Sequence, residues 1–127
     1  MNNTTTRTTP TILIDSKRVE GTHVFDMSGK HVGAIKRLVL DKISGRVVYT
    51  VASFGGFLGM GTEEYTIPWN ALTYDTRYGG YTTAITPEKL REAPEFARSP
   101  RGDDFWSDRA SEQTLYDYYG APYYWTE

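Results

Sequence analysis

Two long runs rich in Val, Ile and Leu leave this chain few ways to fold. They extend from His31 to Lys42 and from Arg46 to Phe54, and Asp41, Ser44 and Gly45 between them supply turn chemistry. The pattern predicts a β-hairpin. In the first run the apolar residues change parity: Val32, Ala34, Leu38 and Leu40 share one face, while Ile35 and Val39 take the other. A strongly bent strand, or one covered on both faces, accounts for that change. The second run is apolar on both faces, so it is expected at the centre of a sheet.

Further short strands flank the hairpin. A strand is expected from near Val19, then a turn at Met27–Lys30 in which Gly29 takes a positive φ. Glu63–Trp69 alternates, with Tyr65, Ile67 and Trp69 on one face, and both Tyr65 and Trp69 are assigned to the core. Pro68 has no N–H to donate, so it marks a strand end or an edge. A turn at Tyr74–Tyr81 leads into a strand predicted over Tyr81–Ile85. The period then changes. Thr86 and Pro87 form a helix start and Pro94 a stop, giving a helix of about two turns. A second helix is predicted from about Phe105 to Tyr119, closed by Gly120 with Pro122 beyond. Its apolar stripe is read as Phe105, Trp106, Ala110, Leu115, Tyr118 and Tyr119. The fold class expected is mainly β: a small antiparallel β-barrel of about six strands, with a short helix and a C-terminal helical, aromatic-rich tail.

Composition narrows the function classes. The 127 residues are 39% hydrophobic, enough for one domain with a core, and they include no cysteine, which removes disulfides and thiolate chemistry. No apolar run approaches the ~20 residues of a membrane helix. The chain is therefore expected to be soluble and cytoplasmic, without membrane insertion. The net charge of −2 argues against wholesale nucleic-acid binding, but the charge is uneven. Residues 1–85 carry 9 basic and 7 acidic residues, and residues 86–127 carry 5 and 9. Lys36, Arg37, Lys42 and Arg46 gather positive charge along the hairpin. That is either a solvated edge that discourages aggregation or a contact for RNA or an acidic partner.

The stretch Ser53–Gly61 holds four glycines around Phe57, Leu58 and Met60. A phosphate cradle would be followed by a helix, whereas a strand follows here. The glycines are read instead as a sharp corner between strands. Phe57, Leu58 and Met60 then either cap one end of the barrel or stand out as a protein-contact patch. His23 and His31 have no matched carboxylate, and adjacent Glu63 and Glu64 point to opposite faces of a strand. No catalytic, cofactor-binding or metal-ligating residue is assigned, and no cofactor is expected.

The tail is the other distinctive feature. Tyr116–Trp125 holds six aromatic residues in ten: Tyr116, Tyr118, Tyr119, Tyr123, Tyr124 and Trp125. Burying each ring gains roughly 1.5–3 kcal/mol before ordering costs. The tail is expected either to fold onto its own barrel or to pack across a two-fold axis in a homodimer. Tyr118, Tyr119, Tyr123 and Trp125 are its candidate contact residues.

Several motifs in order carry a resemblance: Gly21 with Val24, Gly33 with Ile35, the D-x-x-S-G-R-V run Asp41–Val47, the GGFLGMG loop, and Ile67–Trp69. Together they resemble the PRC-barrel domain, which is also carried by the H subunit of the photosynthetic reaction centre and by a ribosome-maturation factor. The resemblance covers roughly residues 15–95 and is to the single-domain bacterial type. It implies a compact barrel of about six strands that acts through protein contacts and is not an enzyme. On this reading residues 1–14 are a flexible Thr-rich leader, 15–95 the barrel, and 96–127 a linker, helix and aromatic tail. The expected function is a protein-interaction module with an unidentified protein partner. The alternative is a ribosome- or RNA-associated factor using the basic hairpin.

Overall fold

The computed structural model describes residues 12–55, 63–98 and 108–126. The Thr-rich leader up to residue 11, the candidate loop residues Phe57, Leu58 and Met60, and the stripe residues Phe105 and Trp106 lie outside that set. The chain opens with a one-turn helix, α1 (Ser16–Val19), capped by Asp15, whose side chain accepts from the Lys17 N–H at 2.9 Å. The strand expected from Val19 is therefore helix first. Gly21, at φ 87°, turns the chain, and strand β1 occupies only His23–Phe25.

Strands β2 (His31–Leu40) and β3 (Val47–Phe54) form the predicted hairpin. Asp41 Oδ1 accepts from the N–H groups of Ile43 and Ser44 at 2.9 and 3.2 Å, and Gly45 sits at φ 81°. The register explains the parity change in β2. Ile35 pairs with Ala52 but Arg37 pairs with Val51, so Lys36 is an extra residue that bends the strand. A second slip leaves Val48 extra on β3, between the Val39–Tyr49 and Leu40–Val47 pairs.

β4 (Glu63–Pro68) pairs with β3, and a 3₁₀ turn at Trp69–Ala71 ends it at Pro68, as the missing N–H requires. β5 (Thr73–Asp75) and β6 (Gly80–Thr82) close a hairpin whose turn is held by Asp75 Oδ1 accepting from the Arg77 N–H at 2.9 Å. The strand expected over Tyr81–Ile85 ends at Thr82, because the Thr83 hydroxyl accepts from the Ile85 N–H at 3.2 Å and turns the chain toward helix α2 (Pro87–Arg91). Thr86 caps α2 as anticipated, accepting from the Lys89 N–H at 3.1 Å.

The six strands form one sheet in the order β4-β3-β2-β1-β6-β5. Two features differ from a closed antiparallel barrel. The ladder is open, with β4 and β5 at its ends, and β6 runs parallel to β1 through Val24–Tyr81 and Phe25–Thr82. A 3₁₀ turn separates β4 from β5, and the two are not paired. The Trp69 ring, in the 3₁₀ turn that follows β4, lies 5.3 Å from the Tyr81 ring of β6 at the main core. That core contains Val24, Ile35, Ala52, Phe54, Tyr65, Ile67 and Leu90, with Trp69 packed against it, so the core assignment of Tyr65 and Trp69 holds.

A second core lies at the other side of β3. Val48 and Tyr49 pack there against Ala97, Leu115 and Tyr116, with Val39 at its margin. β3 thus contributes to both cores, as its two-sided apolar pattern predicts. Helix α3 (Arg109–Tyr119) supplies Leu115 and Tyr116. Asp108 caps its start and Gly120 ends it in the left-handed region at φ 68°. Its buried face is Glu112, Leu115 and Tyr116, with Tyr119 between the two cores. This differs from the expected stripe: Ala110 is exposed and Tyr118 is half-buried at the side.

Candidate functional site

Two features stand out, an apolar groove and an aromatic brace. The groove, about 280 Å³, lies between the β1–β2 turn and the start of α2. Val32, Phe54 and Leu90 form its buried floor, Ile85 and Pro87 one wall, and Met27, 72% exposed, its lip. Local sequence sets each position. Asp26 Oδ1 accepts from the Ser28 N–H and Lys30 N–H at 2.9 and 3.0 Å and from the Ser28 hydroxyl at 2.7 Å, and this fixes the turn that carries Met27. The Ser28 hydroxyl bond, then the Lys30 N–H bond, hold the Asp26 carboxyl below the usual carboxylate range. Thr83 and Thr86 also line the groove, and each hydroxyl accepts a backbone N–H. The acid and the hydroxyls of the groove are therefore engaged in holding turns, and the remaining surface is largely apolar.

The brace is built on β3 and α3. The Tyr49 hydroxyl donates to Oε1 of Glu112, which is 2% exposed, and the Tyr124 hydroxyl donates to the same oxygen at 2.8 Å. Burial first, and the bond to Glu112 second, push the Tyr49 phenol well above its ordinary value and Tyr124 up to about 12. Burial likewise raises Tyr116. Around this pair of bonds the rings interlock. Tyr116 lies 5.7 Å from Tyr49 and 5.6 Å from Trp125, both edge-on, and Tyr123 stacks on Trp125 at 4.9 Å.

The candidate tail residues divide. Tyr118 donates to the Lys89 carbonyl and lies under the Lys89 ammonium, 4.1 Å from its ring centroid, tying α3 to α2. Tyr119 packs against both cores, and its buried hydroxyl has no hydrogen-bond partner among the described residues. Tyr123 donates to Asp117, and Trp125 carries the Arg109 guanidinium 4.1 Å from its ring centroid. All four are engaged within the chain, and Tyr123 and Trp125 remain half-buried.

The four basic candidates do not form one patch. Lys36 is the exposed bulge residue and Arg37 faces Glu64 of β4 at 3.8 Å, whereas Lys42 and Arg46 stand at the hairpin tip. The His23 and His31 rings are 4.3 Å apart on neighbouring strands. Among the described residues no group of three or more His, Cys, Asp or Glu side chains is placed to hold a metal ion, and no helix is long and apolar enough to cross a membrane.

Sequence reasoning missed Glu112 and the groove. Glu112 had a legible signal: it lies three and four residues before Leu115 and Tyr116, on one helix face, so it is a carboxylate inside an apolar stripe. The groove had none, because its walls come from segments far apart in the chain.

A family model described as the PRC-barrel domain matches residues 13–90, which span all six strands and most of α2 but none of α3 or the tail. No curated protein matches the chain. The matched segment is well over half of the sequence and contains the whole sheet, so the chain belongs to the PRC-barrel domain family.

Proposed function

We propose that this protein is a non-catalytic interaction module that holds a partner protein in the apolar groove. Membership of a family of interaction domains supports a binding role, and the composition of the groove carries the reading. The Asp26 carboxylate and the Thr83 and Thr86 hydroxyls accept backbone N–H groups, and the Ser28 hydroxyl is bonded to Asp26 within the same turn, so the polar groups serve the local backbone and the Met27 lip with the Val32, Phe54 and Leu90 floor offers adhesion. Residues 15–95 provide this binding unit. Within 96–127, Ala97 and the described residues of α3 and the tail form a brace that stiffens β3 from behind. Tyr118, Tyr119, Tyr123 and Trp125 then contribute to packing within the chain or across a dimer. Phe57, Leu58 and Met60, outside the described residues, are further candidate contact residues for the partner.

The test is site-specific photo-crosslinking in the native cell. A photoreactive residue replaces Met27 in one version of the full chain and Lys36 in another. A discrete adduct formed only from position 27, and lost on Val32→Glu in a folded protein, supports the reading. An adduct of twice the chain's mass identifies the partner as a second copy. Equal adducts from both positions, or none, contradict it.

A further inference from the structure

The tip of the β2–β3 hairpin belongs to neither the groove nor the brace's interior. Ile43, at its apex, is 94% exposed, and Leu40, at its root, is 52% exposed. The turn that presents them is well bonded: the two N–H groups on Asp41 Oδ1 are joined by the Arg46 N–H, which donates to Ser44 Oγ at 3.2 Å. An isolated exposed aliphatic residue is ordinary. This one has a defined surrounding. Lys42 precedes it in the turn. Behind it a depression of about 310 Å³ is lined by Asp41, Ser44, Arg46, Arg109, Tyr124 and Trp125. Arg109 lies over the Trp125 ring at 4.1 Å and near the Tyr124 ring at 5.6 Å. Among the described residues lining the depression the only acid is Asp41, whose Oδ1 is occupied by the turn.

We infer that this tip docks on the surface of an anionic lipid bilayer. Ile43 and Leu40 enter the boundary between headgroups and acyl chains, Lys42, Arg46 and Arg109 lie among the lipid phosphates, and Trp125 and Tyr124 sit at headgroup level. Each component has the chemistry such a surface selects. Aliphatic side chains gain by leaving water, basic residues are drawn to the negative surface potential, and Trp and Tyr favour the interface. Contact of this kind is peripheral and needs no spanning helix. A single-stranded RNA fits less well. Bases require open ring faces, whereas Trp125 already stacks on Tyr123 at 4.9 Å and carries Arg109. An exposed aliphatic apex also offers a polyanion nothing.

Co-sedimentation of the full chain with vesicles tests the inference. The expected result is partition onto phosphatidylcholine vesicles containing phosphatidylglycerol, none onto phosphatidylcholine alone, and weakening with added salt. Ile43→Asp is expected to lower the partition roughly tenfold or more, and Lys42→Glu to lower it severalfold. Both positions are exposed, so both variants should keep the parent melting temperature, which serves as the folding control. Three outcomes overturn the inference: no binding to anionic vesicles, equal binding by Ile43→Asp and the parent, or preference for a single-stranded RNA oligomer over the vesicles.

Discussion

Tyr49 of the central strand donates its hydroxyl hydrogen to Glu112 of the last helix, across 63 positions of sequence. The bond joins the family sheet to a helix outside the family match. A buried carboxylate is costly unless its oxygens are occupied, and here two phenols share one oxygen. Once formed, the arrangement favours one register of α3 on β3, because sliding the helix by a turn would part Glu112 from the buried Tyr49 hydroxyl that donates to it.

Glu112→Ala is predicted to destabilise the protein by about 2–3 kcal/mol, since it strands the Tyr49 and Tyr124 hydroxyls and opens a small cavity. Glu112→Gln keeps an acceptor and should cost less, about 1 kcal/mol. Urea unfolding of both variants measures the difference. Equal losses would show that the acceptor oxygen contributes nothing.

Removing Asp103–Glu127 is predicted to lower the melting temperature and promote self-association. It deletes Leu115 and Tyr116 and uncovers Val48, Tyr49 and Ala97. Calorimetry and sedimentation of the truncated chain check this. An unchanged melting temperature together with an unchanged oligomeric state would show that the brace has no structural role.

Much of the sheet was legible because local chemistry dictated it. Asp41, Ser44 and Gly45 specify the β2–β3 turn, Pro68 stops β4, and Thr86 with Pro87 starts α2. The change of parity in β2 signalled a bent strand or one covered on both faces, and the register places the extra residue at Lys36. What escaped was non-local. That β6 would lie parallel beside β1 depends on contacts between residues far apart in the sequence, such as Val24 with Tyr81, and no short-range pattern encodes them. The brace shows a different division. The ring-rich tail signalled that it would pack against another surface, and Glu112, set in line with Leu115 and Tyr116, was readable as a carboxylate on the packed face, but its partner Tyr49 lies 63 positions away and no local pattern names it. The groove was invisible because Met27, Phe54 and Leu90 meet only in three dimensions.

Gly33→Ala is predicted to cost more than Gly45→Ala, although only Gly45 has a positive φ, 81°. A Cβ on Gly33 would lie 2.1 Å from the Ser53 carbonyl oxygen, a backbone atom of the neighbouring strand, so β2 and β3 would have to separate. A Cβ on Gly45 meets nothing within 4 Å and carries only the strain of the left-handed region, about 1 kcal/mol. Overpacking at Gly33 should cost about 2–3 kcal/mol. Equilibrium unfolding of the two single variants ranks them, and the reverse order would mean that the strands approach less closely than described.

Alkaline pH is predicted to weaken the fold through its tyrosines. Burial, reinforced by the Glu63 and Glu112 carboxylates respectively, pushes the phenols of Tyr65 and Tyr124 up to about 12 from an ordinary value of 10.0, and burial also raises Tyr49, Tyr116 and Tyr119. Below about pH 9 these groups are protonated in both folded and unfolded chains, so they leave stability independent of pH. As pH passes 10 the unfolded chain releases phenolic protons that the folded chain retains. Stability must then fall as pH rises, most steeply between about 10 and 12. Melting temperatures in matched ionic strength from pH 8 to 11.5 should be level at first and then drop. Tyr49→Phe, which has no proton to release, should start from a lower plateau and decline less steeply. A parallel decline in the two proteins would assign the alkaline loss to groups other than Tyr49.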